Sequence, residues 1–189
     1  MVEAARLAFE ERVERVAQLK AAQGRLVQQA RELSNARREL AGRLETGLIE
    51  SLAAGRKWAS ANELEQLARI DAEHRLVTAA NSKVLEHLLP RAEIESLERA
   101  AARYRAQAVV LREVAEDRLR RTAEMMSEAA AHEGGIVFDP TQTLSGVLHQ
   151  QADELDKQAA NHQTWAQQKA EGHARLVEVS EAERHAAQV

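Results

Sequence analysis

Leucine returns every seventh residue along the first quarter of the chain, at Leu19, Leu26, Leu33 and Leu40. A second stripe of Val2, Phe9, Val16, Gln23, Ala30, Arg37 and Leu44 runs beside it with the same period. Together they are the a and d positions of a coiled coil, kept in one register over residues 2–54. At ~1.5 Å per residue such a helix spans roughly 80 Å. No compact core of a 189-residue chain is that wide, so an elongated molecule is expected. Val13, Val27 and Leu48 broaden the stripe and imply more than one neighbouring helix along parts of it.

The pattern then breaks and restarts. Gly55 can take the left-handed conformation that ends a helix. Ser60-Ala61-Asn62-Glu63 reads as a capping box, in which serine and glutamate satisfy each other's free amides. The short link predicts a second helix, over 61–133, returning antiparallel to the first. Its stripe is Leu67, Ile70, His74, Val77, Asn81, Val84 and Leu88. Beyond Pro90 a stripe resumes at Ile94 and continues through Leu97, Ala101, Tyr104, Ala108, Leu111, Ala115, Thr122 and Met125. Position 95, not Ile94, would continue the first stripe, and slip and proline together predict a kink over residues 86–91.

Gly134 and Gly135 end that helix, and residues 134–140 form the loop. Asp139 reads as the next N-cap, with Pro140 at the first helical position. The third helix is predicted over 141–187, with a stripe of Leu148, Gln151, Leu155, Gln158, His162, Trp165, Lys169, Gly172, Leu176 and Val179. Half of those positions are polar, and Trp165 is expected in the core. Laid antiparallel, the helices give an all-α fold, an elongated antiparallel coiled coil forming one domain over 1–189. It has a three-helix centre and two-stranded arms, on the order of 100 Å end to end. Such arms bury little surface for each residue ordered, so a homodimer or a partner protein is expected.

Composition agrees with this picture. Aromatic residues are 3%, with 8 Gly, 2 Pro and no Cys, while 30% are charged. Too few turn-forming, aromatic and β-branched residues are present for a sheet protein. The formal net charge is -4, with both signs mixed along most of the chain. Seven arginines fall within residues 99–121, accompanied by Glu113, Glu116 and Asp117, and read as a solvated face laced with ion pairs. Nucleic-acid binding, which needs a net basic face, is disfavoured. The lack of Cys fits a reducing compartment. No apolar run approaches the ~20 residues of a membrane span. The first residues carry no signal-peptide core, so a cytoplasmic protein is expected. Arginine outnumbers lysine 21 to 5, which points to a GC-rich genome.

Candidate chemistry is sparse. Asp71 and His74 have the spacing of a di-metal bundle pair, but no matching pair with a glutamate recurs on a second helix. His74 and His162 fall in the stripes, where polar residues set register. Ser145 lacks the glycine-flanked setting of a nucleophile, and Gly134-Gly135 lacks the residues of a phosphate loop. No catalytic residue, cofactor, metal or small-molecule substrate is expected. The candidate interaction residues are apolar ones outside the stripes: Trp58 in the first link, and Ile136, Val137 and Phe138 in the second. Each set either caps its end of the bundle or anchors a partner.

Three resemblances hold at the level of outline. The long hairpin with a kinked helix looks like a BAR-type membrane-curving dimer. The start Ala4-Ala5-Arg6-Leu7-Ala8-Phe9-Glu10 loosely resembles phasins, the coats of storage granules. Residues 2–133 are similar in outline to coiled-coil stalk proteins and chaperones of bacterial flagellar and type III secretion systems. The first two imply a coat or curvature protein on a membrane or granule surface, the third a stalk or chaperone. The residues themselves point to a non-enzymatic scaffold or adaptor that binds another protein or itself.

Overall fold

The computed structural model describes residues 1–58, 60–130 and 144–186, which form long helices and no strand. Helix α1 runs Val2–Ala53 and α2 runs Ala61–Lys83. A single π turn, Val84–Leu88, leads from α2 straight into α3, Leu89–Ala130. Helix α4 runs Leu144–Ala186. The expected loop at 134–140, the cap at Asp139 and the start of the last helix at 141–143 lie outside the described residues.

The first helix ends as its glycine dictates. Gly55 has φ of 64°. The amide of Arg56 donates to the carbonyl of Ser51 at 2.9 Å, and that of Gly55 to Leu52 at 3.1 Å. This pair of bonds is a Schellman cap, which satisfies carbonyls the helix would otherwise leave open. The capping box expected at the next start does not form. Ser60 occupies the N-cap, and its carbonyl accepts from the Leu64 amide, but its side chain makes no capping bond. Its hydroxyl is buried without a partner.

By its internal contacts the chain divides into two compact units. One is Ala17–Leu89; the other joins Met1–Val16 to Pro90–Val189. They are packed with different chemistry. Among the described residues, the buried apolar side chains of the first unit are Leu19, Leu40, Leu44, Val77 and Val84. This unit is a helical hairpin, tied by Arg37 to Asp71 at 2.6 Å and by Gln29 to Glu73 at 3.4 Å. The leucine stripe of α1 and the Leu67–Val84 stripe of α2 are buried or half-buried, as the heptads predicted, with Arg37 exposed. Asn81 sits in the stripe with its side-chain oxygen buried and unpaired, a residue type that fixes register at a cost in stability.

In the other unit every buried apolar residue described is alanine: Ala92, Ala100, Ala101, Ala106, Ala108, Ala115, Ala152, Ala159 and Ala166. Two heptad rows stand out within it. Ala101, Ala108 and Ala115 on α3 run antiparallel to Ala152, Ala159 and Ala166 on α4, each at most 3% exposed. Alanine rows bring helix axes towards the near end of the usual ~8–10 Å range. Ser145 extends the α4 row one heptad back, and its buried hydroxyl donates to the Ala115 carbonyl at 2.8 Å.

Helix α1 meets α3 elsewhere. Arg12 pairs with Glu95 at 3.2 Å, and the Arg103 guanidinium lies 5.3 Å from the centre of the Phe9 ring. Arg103 is two residues on from Ala101, or about 200° around the helix. Thus α1 and α4 meet α3 on different faces.

The helix also runs through Pro90 without a turn. Proline lacks the amide for the next bond and its ring crowds the carbonyl four residues back. The π turn answers this locally: the Leu89 amide reaches back five residues to the Val84 carbonyl.

Candidate interaction surface

Helix α4 carries two heptad stripes side by side, and they have different fates. The alanine stripe is wholly used against α3. The stripe expected in the core, Leu148 to Val179, lies one residue to its side. Its first half is mostly half-covered, at Leu148, Leu155, Gln158 and His162. From Trp165 onwards it faces solvent: Trp165 is 51% exposed, Leu176 70% and Val179 55%, with Lys169 and Gly172 exposed between them. The expectation that Trp165 is a core residue is therefore corrected. The alanine row, which a search for large apolar side chains passes over, takes the buried face and turns the tryptophan outward.

Beside this stripe lies an open groove of about 510 Å³ between α3 and α4. Pro90 and Leu97 line one wall, and Trp165, Gly172 and Leu176 the other. Lys169 crosses it to donate to the Glu93 carboxylate, so the charge within the groove is internally balanced. A Cβ placed on Gly172 would meet nothing within 4 Å, which leaves that wall open there.

The indole is held by a short train of rings. Tyr104 on α3 meets His162 edge-on at 5.3 Å, and His162 lies 5.0 Å from Trp165. The His162 Nδ1–H donates to the Gln158 carbonyl at 3.1 Å, which orients the imidazole between the two larger rings. Aromatic pairs at such distances are worth about 0.5–1.5 kcal/mol beyond the area they cover. The tryptophan is therefore positioned along one edge while its other side stays open.

The residues singled out from sequence fall differently. Trp58 is half-buried, its Nε1 3.8 Å from where a Cβ on Gly47 would stand, so it lies along α1. Ile136, Val137 and Phe138 lie outside the described residues. Trp165 was the residue missed. The signal that finds it is the row Ser145, Ala152, Ala159, Ala166, small residues seven apart and next to the polar stripe.

The arginine-rich segment is largely engaged in pairing. Arg112 holds Asp153 at 2.8 Å and Asp156 at 2.6 Å across the α3–α4 contact. The bonds to Asp153 and then Asp156 raise its affinity for its proton above the ordinary arginine value. Arg105 donates to Gln163, while Arg120 and Arg121 share Asp117. Asp71, half of the nearest metal-like pair, is the partner of Arg37. Among the described residues no three His, Asp or Glu side chains converge on a metal position. Ser145 has its hydroxyl committed to a backbone carbonyl. No helix of the described residues is long and apolar enough to cross a membrane.

Compared with known protein families, curated proteins and solved structures, the chain matches none.

Proposed function

We propose that this chain is a non-enzymatic helical scaffold or adaptor that pairs its helices with a second copy or with another protein. The observation that carries the reading is the open half of the second α4 stripe. Trp165, Lys169, Gly172, Leu176 and Val179 alternate at spacings of four and three, the pattern of a coiled-coil seam with one side filled. Exposed aromatic and aliphatic residues grouped around a groove mark contact sites on proteins. The balanced Lys169–Glu93 pair favours an uncharged, apolar helical face as occupant over a nucleic acid or an acidic peptide. Absence of cysteine fits a reducing compartment, and we place the chain in the cytoplasm.

Two measurements test this together. Sedimentation equilibrium of the full chain is expected to give a mass above 21.0 kDa that rises with concentration. The double variant Trp165→Ala, Leu176→Ala should keep the helical circular dichroism and revert to the single-chain mass. A variant that melts would show these residues to be structural. A full chain that stays single at every concentration would remove self-association. Retention on lipid vesicles that survives high salt would instead favour a surface coat over an adaptor.

A further inference from the structure

We infer that the π turn at Val84–Leu88 is a one-residue register insertion, pinned by Pro90, that sets which side of α3 receives α4. The pattern of burial carries the argument. Without an insertion, the stripe of α2 that faces α1 would continue from Val84 through 88, 91, 95, 98, 102 and 105. Of these positions only Glu95 is even half-buried; Leu88, Arg91, Glu98, Ala102 and Arg105 are exposed. Adding one residue moves the stripe to 89, 92, 96, 99, 103 and 106. There Leu89, Ser96 and Arg103 are half-buried and Ala92 and Ala106 are buried, with Arg99 alone exposed. The step from Val84 to Ala92 is thus eight residues where a heptad would take seven. A π turn supplies that count, since each one adds a residue to the helix it interrupts.

The position of the insertion has its own cause. In an unbroken α-helix Pro90 would crowd the Glu86 carbonyl and leave it without a donor. Widening the turn just ahead of the proline relieves both. Pro90 therefore fixes where the extra residue sits, and the extra residue moves each later stripe on by one position, which is about 100° around the helix. In the inserted register the Ala101–Ala108–Ala115 row points away from α1. In an unbroken one, with 98, 102 and 105 facing α1, the same row would lie only about 70–100° from it. Helix α4 would then dock beside α1 instead of on a different face of α3. The stripe that resumes at Ile94 is accordingly a new seam for α4, and not a slipped continuation of the old one.

Deletion is the direct test, because removing a residue from a helix normally rotates every later side chain out of its contact. The full-length variant lacking Leu85 and carrying Pro90→Ala should close the π turn and leave all later stripes in place. Its melting temperature is expected to equal or exceed that of the full chain, with unchanged helicity. Deleting Ala102, an exposed residue of a regular turn, should lower the melting temperature by ten degrees or more. Pro90→Ala alone serves to separate the effect of the proline from that of the deletion. If the Leu85 deletion melts as low as the Ala102 deletion while Pro90→Ala alone stays folded, the insertion reading is overturned.

Discussion

Single positions in this chain matter mainly through the backbone. Gly24 and Gly42 lie in the middle of α1, where an added Cβ would meet nothing within 4 Å. Their flexibility serves no turn, so Gly24→Ala and Gly42→Ala should each stabilise the chain by about 0.5–1 kcal/mol. A higher urea midpoint with an unchanged slope checks this. Gly55 is the opposite case. Its left-handed conformation carries the Schellman cap, and Gly55→Ala should cost about 1–2 kcal/mol in the same titration. Ser145→Ala removes the hydroxyl bond to the Ala115 carbonyl. Because that carbonyl keeps its place in the helical ladder, the expected loss is about 0.5–1.5 kcal/mol. The glycine cap could be read from sequence because only glycine adopts that backbone without strain. The failure of Ser60 to cap could not, since a side-chain rotamer decides it.

At the scale of elements, the long helical runs, the end of the first at Gly55 and the α1–α2 seam were legible from the glycine and from heptads of leucine and valine. The α3–α4 seam was legible on one side only. Ala101, Ala108 and Ala115 fell in the predicted stripe, but the partner row on α4 was displaced by one residue. The reason is physical: a row of alanines buries little area per residue and is noticed only through what faces it. The π turn shared that obscurity, because one inserted residue and a second seam produce the same apparent slip at Pro90. A buried alanine row leaves no room for a larger side chain. Ala108→Leu or Ala159→Leu should force the helices apart and cost about 1–3 kcal/mol. A drop in thermal midpoint checks it, and Ala102→Leu, on an exposed position, should leave the midpoint nearly unchanged.

For the whole molecule, the two packing chemistries imply unequal resistance to opening. A buried leucine or valine contributes about 1.5–3 kcal/mol and a single methyl about 0.8 kcal/mol. The hairpin unit, with Leu19, Leu40, Leu44, Val77 and Val84 inside, should hold its amides longer than α4 does. Deuterium uptake should therefore reach 144–186 before the segments around Leu40 and Val77, and uniform uptake along the chain would count against this. The candidate surface lies on the less protected helix, as binding elements commonly do. The sequence supplied its residues, but only the alanine row showed which of them face outward.

The alanine seam has one more consequence, and it concerns entropy. Alanine has no side-chain rotamer to lose on burial. When α4 seats on α3, the methyls of Ala152, Ala159 and Ala166 have no torsion to freeze. When it leaves, they have none to regain. A leucine seam must select one rotamer per knob on each docking, whereas this one needs only the backbone and a few surface pairs to align. The conformational cost of seating the last helix therefore falls on its backbone and its surface pairs, and none of it on the row that is buried.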